Sequence, residues 1–192
     1  MEYKLASFNT KKSLAASLKK LACEKPFSKI TVSDLIRDCG VNRKTFYYHF
    51  EDIYALLQWM LEQEAIDVVR DSNLSNDYAD SFFFAIDYIK KNRRFLQNLY
   101  HSLGRGELKS FFYDDFIGIV GKIVDDAEKS AKINVSDEYK KFVTEFYTEA
   151  FAGSVLGMID NDLLLENPEK EVLFLKSIIR FSIPAALKNS PF

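Results

Sequence analysis

The sequence predicts an all-α protein. Its apolar residues recur with a period near 3.6 along almost the whole chain of 192 residues, no segment alternates as a strand does, and glycine and proline number only seven and four. Hydrophobic residues make up 47% of the chain and charged residues 28%, so it has enough apolar surface to bury a core. This composition excludes an intrinsically disordered or collagen-like chain.

Four helices are predicted in the first part of the chain. Thr31, Asn42 and Asp52 are suitable N-cap residues for the second, third and fourth of them, because their side-chain oxygens can accept from the first-turn N–H groups. Gly40 ends the second helix. The predicted ranges are 10–25, 32–39, 43–49 and 53–70.

Five further helices are predicted beyond a polar stretch at residues 71–77. Gly104 and Gly106 separate the second from the third, and Pro168 is well placed as the first residue of the last, where its missing N–H is no loss. The predicted ranges are 78–91, 93–103, 107–130, 136–160 and 168–187.

Charge is unevenly distributed along the chain. Residues 1–50, which we call the head, hold ten Lys/Arg and four Asp/Glu, whereas residues 51–192, the body, hold 16 and 24. A basic head on an acidic body indicates that the head meets a polyanion.

The most informative segment is residues 31–50. Two short helices meet across Gly40-Val41-Asn42, which is the spacing of a helix-turn-helix. The second of these helices offers basic, hydroxyl and aromatic side chains that can reach base edges or phosphates from the major groove. Packing against neighbouring helices is the alternative role for Tyr47 and Tyr48, and holding the corner between two helices is the alternative for His49.

Thr31-Val32, Gly40-Val41 and above all the run Thr45-Phe46-Tyr47-Tyr48-His49-Phe50 resemble the DNA-binding head of the TetR family of transcriptional regulators. The resemblance covers about residues 8–60. Residues 95–105, FLQNLYHSLGR, resemble a smaller subgroup of that family that includes activators of dihydroxyacetone-kinase operons. The resemblance implies a helix-turn-helix domain at residues 1–52, a connecting helix to about residue 71, and a ligand-binding and dimerisation domain at 72–192.

The resemblance also implies the residues that contact double-stranded operator DNA. They are Thr31, Ser33, Asn42, Arg43, Lys44, Thr45, Tyr47, Tyr48 and His49. Two departures from the family pattern stand out: Glu51-Asp52-Ile53 replaces a stretch that usually carries a lysine, and Ile36 replaces an alanine. They keep open a second hypothesis, a co-regulator that binds DNA weakly and acts through another protein of the same family.

The resemblance further implies a homodimer and a small-molecule effector. We expect the dimer interface in the last two helices, where the apolar residues exceed the needs of one small core; a monomer with a well-filled core is the alternative. The predicted interface residues are Phe146, Ala150, Gly153, Gly157, Ile178, Ile179 and Ile183. The candidate pocket residues, each of which could instead be a packed aromatic, are Trp59, Tyr88, Tyr100, His101, Tyr113 and Tyr147.

No pattern in the sequence indicates catalysis. Two histidines and two cysteines, Cys23 and Cys39, make neither a metal cluster nor a disulfide framework, and no phosphate loop or nucleophile elbow occurs. The most apolar stretch, residues 172–187, is interrupted by charged residues and a proline and is too short to span a bilayer. We therefore expect a cytoplasmic protein that is not an enzyme, binds no metal or cofactor and does not associate with membranes.

Overall fold

The computed structural model describes residues 2–72, 86–160 and 168–191, and the regular secondary structure within these ranges is entirely helical. The all-α prediction is confirmed. None of the helices in these ranges combines the length and apolarity needed to cross a membrane. The helices are α1 (Glu2–Glu24), α2 (Val32–Cys39), α3 (Arg43–His49), α4 (Ile53–Ser72), α5 (86–91), α6 (Arg93–Leu103), α7 (Arg105–Ala131), α8 (Asp137–Asp160) and α9 (Pro168–Lys188), with a 3₁₀ turn at Phe27–Lys29.

The largest difference from the predicted boundaries is at the start of α1. It begins at Glu2 rather than near Thr10, and the Thr10 hydroxyl donates to the carbonyl of Ala6 at 3.0 Å, one turn back within the helix. The 3₁₀ turn after Pro26 was not predicted either. Of the helix predicted at 78–91, residues 78–85 lie outside the described part of the chain.

The three helices of the head pack around a small apolar core. Leu14 and Leu18 of α1, Leu35 of α2 and Phe46 of α3 are each fully buried in it. Gly40 joins α2 to α3 with a φ of +69°, in the left-handed region that a residue without Cβ adopts at little cost. These contacts fix the angle between α2 and α3 and leave the opposite face of α3 in solvent.

One side chain of the body, Asn98 on α6, ties the head to it. Its Nδ2 donates to the carbonyls of Ala22 and Lys25 at 2.6 and 2.8 Å, which lie at the end of α1 and just beyond it. Its Oδ1 accepts from the backbone N–H of Phe27 at 2.8 Å and from the hydroxyl of Ser102 at 3.1 Å. The carboxamide thus satisfies groups that the end of α1 leaves without helical partners.

The long helices α7 and α8 fold back on each other in the body, and α9 packs against both. Buried residues from all three form an apolar cluster that includes Val120, Val143 and Ile183. The turn between α7 and α8 is held by Glu128, whose carboxylate accepts from the backbone N–H of Val135 at 2.9 Å and from Lys140 at 3.2 Å.

Lys132, the C-cap of α7, adopts a φ of +53°, a left-handed conformation that strains a residue with a Cβ. We expect Lys132→Gly to raise the free energy of unfolding by about 0.5–1 kcal/mol, because glycine relieves the strain but loses more entropy on folding. Urea unfolding measures the change. Lys129→Gly, in the last turn of α7, is the control and should lower the free energy of unfolding by about 1 kcal/mol. If Lys132→Gly also lowers the free energy of unfolding, the backbone at Lys132 is not strained.

Candidate nucleic-acid interface

The exposed face of α3 carries a compact set of side chains suited to nucleic acid. Phe46 is fully buried and anchors the helix, while Arg43, Lys44, Tyr47 and Tyr48 are exposed. Since two of these are cationic and two are aromatic rings with a hydroxyl, the face can both attract phosphates and donate to base edges.

Two of these exposed side chains hold each other in place. The guanidinium carbon of Arg43 lies 5.6 Å from the centre of the Tyr47 ring, and Nη2 donates to the Tyr47 hydroxyl at 3.4 Å. Tyr47 in turn packs its ring edge-to-face with the buried Phe46, with ring centres 5.4 Å apart. The pair is therefore partly ordered before any ligand binds, which reduces the entropy lost on binding.

The predicted cap of α3 is present, and it occupies two of the predicted contact residues. Asn42 Oδ1 accepts from the backbone N–H of Thr45 at 2.8 Å and from its hydroxyl at 3.1 Å. Because the single hydroxyl proton of Thr45 is directed at Asn42, Thr45 offers DNA only an acceptor oxygen and a methyl group in this conformation.

Thr31 is engaged in the same way at the start of α2. Its hydroxyl donates to Asp34 at 2.7 Å and accepts from the Asp34 backbone N–H at 3.2 Å, which makes a capping box. The hydrogen bond from Lys25, at 2.7 Å, and those from Thr31 hold the pKa of the Asp34 carboxyl well below its usual range. The predicted donation from Thr31 to a phosphate therefore requires the box to open, whereas Ser33 is exposed beside it.

His49, at the end of α3, is only partly exposed. Its ring lies edge-to-face with that of Tyr48, with centres 5.0 Å apart. Burial, and to a smaller extent the charge of Lys11, lowers the pKa of the imidazole below its ordinary value. The lowered pKa favours the neutral imidazole, which can serve a phosphate as a hydrogen-bond donor.

The six residues predicted to line one pocket lie in different surroundings. Trp59 packs against Phe50, and the Tyr88 hydroxyl donates to Glu64. The Tyr147 hydroxyl donates to Ser182 of α9 at 2.7 Å. The remaining candidates are Tyr100 and His101 on α6 and Tyr113 on α7.

Two cavities lined by described residues bear on a ligand site. One is an open cleft of about 560 Å³ between the end of α1 and α6, lined by polar groups that include Asn98 and His101. The other is an apolar space of about 20 Å³ in the body, beside Phe116 and Phe151. The second is too small for a metabolite.

The residues predicted for the dimer interface divide into two groups by burial. Phe146, Ile178 and Ala150 are exposed, and Gly153 and Gly157 are partly exposed. Ile179 and Ile183, in contrast, are buried in the core of the same chain, between α7, α8 and α9. Their side chains are therefore unavailable to a second chain in this conformation.

Three further exposed aromatic residues extend the same surface. Phe142 on α8 and Phe174 and Phe181 on α9 each expose more than half of their area. The Phe142 ring stacks on that of Phe146, with centres 6.4 Å apart. We call the exposed residues Phe142, Phe146, Phe174, Ile178 and Phe181 the α8–α9 face.

The described residues contain no group of three or more His, Cys, Asp or Glu side chains that could hold a metal ion. Cys23 and Cys39 are both partly buried free thiols.

Comparison with known families identifies both parts of the chain. A family model described as "Bacterial regulatory proteins, tetR family" matches residues 8–60, and one described as "Transcriptional regulator C-terminal region" matches residues 76–180. The first match covers α2, α3 and most of α1, and so includes the exposed face of α3.

Two relatives agree with these matches. The HTH-type dhaKLM operon transcriptional activator DhaS of Lactococcus lactis subsp. lactis (strain IL1403) is 24% identical over 144 residues, which cover 75% of this chain and 76% of that protein. A solved structure of a dihydroxyacetone kinase operon activator, DhaS, is similar with a TM-score of 0.65 and 22% identity, covering 93% of this chain and 96% of the other. At that identity the solved structure supports the fold.

Proposed function

The chain belongs to the TetR family and is a DNA-binding transcriptional regulator, and we propose that it binds operator DNA as a homodimer through the exposed face of α3. The observation that carries this proposal is the arrangement of Arg43, Lys44, Tyr47 and Tyr48 on one solvent-facing side of a helix anchored by Phe46. A helix displayed in this way fits the major groove.

We assign different roles to the contact residues. Arg43 and Lys44, in the first turn of α3, reach base edges, while Tyr47 and Tyr48 contact the sugar-phosphate backbone or a thymine methyl. Ser33 donates to a flanking phosphate from the start of α2. Thr31, Asn42 and Thr45 act mainly by capping the helices, and so hold the others in position.

A regulator that acts mainly through a partner protein gains no support from Asp52, one of the two acidic residues that come after α3. The Asp52 carboxylate accepts from the backbone N–H of Ala55 at 2.8 Å, so it caps α4. A helix cap is a sufficient reason for an acidic residue at this position.

We further propose that a small-molecule effector controls DNA binding. Asn98 supports this, because three of its hydrogen bonds link α6 to the backbone at the end of α1 and just beyond it. A ligand that favours one position of α6 would therefore also favour one position of the head. The resulting change in DNA affinity is set by how much more tightly the ligand binds one of these two positions than the other.

The function is tested by fluorescence anisotropy with the purified protein and a labelled duplex from its own upstream region, at two salt concentrations and with unlabelled random DNA as competitor. Binding that survives the competitor supports sequence-specific recognition. Binding that disappears with both competitor and modest salt would show that the head binds DNA only through non-specific electrostatic attraction, and would contradict the proposal.

Tyr47→Ala is expected to lower affinity for the operator about tenfold, equivalent to about 1.4 kcal/mol, because it removes a contact and the support of Arg43. The same anisotropy titration measures this change, and circular dichroism and light scattering should show unchanged helix content and mass. Tyr113→Ala, on α7 of the body, is the matched control and should bind as the wild type does. Equal affinities for Tyr47→Ala and the wild type would remove Tyr47 from the interface.

A further inference from the structure

Lys11 of α1 reaches the corner between α3 and α4. Its Nζ lies 5.4 Å from the centre of the Phe50 ring and 5.5 Å from the centre of the Trp59 ring, so that the ammonium is held over two aromatic faces. Phe50 immediately follows α3, and Trp59 lies in the second turn of α4. The side chain thus bridges from the first helix of the head to the end of the helix proposed to read DNA.

The charge of Lys11 is not neutralised by a neighbouring carboxylate. Three other lysines, in α1 or just after it, are neutralised in this way. Lys19 pairs with Glu64, Lys20 with Asp38 and Lys25 with Asp34, at N–O distances of 2.5–2.7 Å. Within the described part of the chain, no carboxylate oxygen lies within 4.0 Å of the Lys11 ammonium. Its charge is therefore available to an anion that approaches the corner.

The corner has no cation of its own. Between Lys44 and Arg70 the sequence contains neither lysine nor arginine, and it places Glu51 and Asp52 directly after Phe50. Burial, and then the nearby charge of Lys11, lower the pKa of His49 and so disfavour its charged form. DNA that follows the exposed face of α3 past Tyr48 and His49 would thus meet no positive charge from this segment.

We propose that Lys11, reaching across from α1, supplies the phosphate-binding cation at the α3–α4 corner. This rests on the proposed binding of duplex DNA by α3. The two aromatic rings hold the ammonium in position without neutralising it, because a cation–π contact leaves the full charge on the nitrogen. A phosphate then gains a charge-assisted hydrogen bond that was already oriented before binding.

Lys11→Met tests this role through the salt dependence of binding. Each cation that neutralises a phosphate adds about 0.9 to the slope of log K against log salt, so the variant should lose about one unit of slope. Affinity should fall about three- to tenfold on operator and random duplexes alike, since a phosphate contact carries no sequence information. Lys11→Arg keeps the charge and should keep the slope, and both variants should match the wild type in helix content.

Lys12→Met is the matched control, because Lys12 is the next residue on α1 and its ammonium lies over the Phe8 ring, 5.0 Å from its centre, rather than over the rings of Phe50 and Trp59. Lys12→Met should change the slope of log K against log salt by less than half as much as Lys11→Met does. Trp59, the only tryptophan, reports on the same site: adding operator DNA should change its emission in the wild type and much less in Lys11→Met.

The outcomes separate this role from the proposed function. If the wild type binds DNA but Lys11→Met keeps the wild-type slope, or if Lys12→Met loses as much slope as Lys11→Met, Lys11 is not a localised phosphate contact. If the wild type shows no binding that survives random DNA, the proposed function itself fails, and the role of Lys11 fails with it.

Discussion

Phe146→Glu is expected to convert the protein to a monomer and to lower its affinity for operator DNA at least a hundredfold, about 2.7 kcal/mol. Phe146 exposes 60% of its area and stacks on Phe142, while Ile178 and Phe181 expose 49% and 66% on the adjacent α9. Monomeric proteins rarely leave an apolar patch of this extent in solvent, so we expect a second copy to cover the α8–α9 face. An unpaired carboxylate buried there would oppose association strongly.

A dimer affects DNA binding because it presents two copies of α3 to two half-sites, whereas a monomer holds only one. Light scattering gives the mass, and anisotropy gives the affinity for the full site and for a half-site. Phe146→Leu is the matched control, since it remains apolar and should stay dimeric. A dimeric Phe146→Glu protein would show that the chains associate through another surface. A monomer that binds the full site at wild-type affinity would separate dimerisation from DNA recognition.

The helices could be predicted from sequence because each is determined by nearby residues. Asn42 and Asp52 cap α3 and α4 as expected, and α6 spans the predicted range. The start of α1 was wrong because Thr10 is equally suited to capping a helix and to bonding one turn back within it, and the pattern of apolar residues does not distinguish the two.

The site was less predictable, because the important contacts join residues far apart in sequence. Thr31 has the residue type of a phosphate contact, yet its hydroxyl proton is donated to Asp34; the spacing Thr-x-x-Asp was the signal for this. Lys11 and Asn98 carried no local signal, since each acts on a segment that only the tertiary fold brings near. Ile179 shares the apolar character of Ile178, and only the packing of α9 determines which of them is buried.

Asp115→Asn is expected to stabilise the protein at pH 8 by about 1–2 kcal/mol more than at pH 5. Burial, and then the charges of Glu62 on α4 and Asp114, raise the pKa of the Asp115 carboxyl from 3.8 to about 7. Tyr88 of α5 also faces it. The folded protein holds the proton of Asp115 more tightly than the unfolded chain does. The contribution of this proton to the free energy of unfolding is therefore complete at about pH 4 and below, and it is lost as the pH rises to about 7. Above pH 7 the wild type must keep a carboxylate in a partly buried position close to other negative charges.

The asparagine keeps the shape of the protonated acid without its proton equilibrium, so the difference in unfolding free energy between variant and wild type should grow from pH 5 to pH 8. The full rise in pKa corresponds to about 4 kcal/mol at 1.36 kcal/mol for each unit of pKa, and partial exposure to solvent reduces this to the 1–2 kcal/mol expected. Urea unfolding at each pH measures it, and because variant and wild type are compared at the same pH, the other titrating groups largely cancel. Asp125→Asn, at an exposed position on the same helix, is the control and should change the free energy of unfolding by less than about 0.5 kcal/mol. A pH-independent difference for Asp115→Asn would mean that Asp115 is already charged in the folded protein at pH 5, and that α4 and α7 pack with a carboxylate between them.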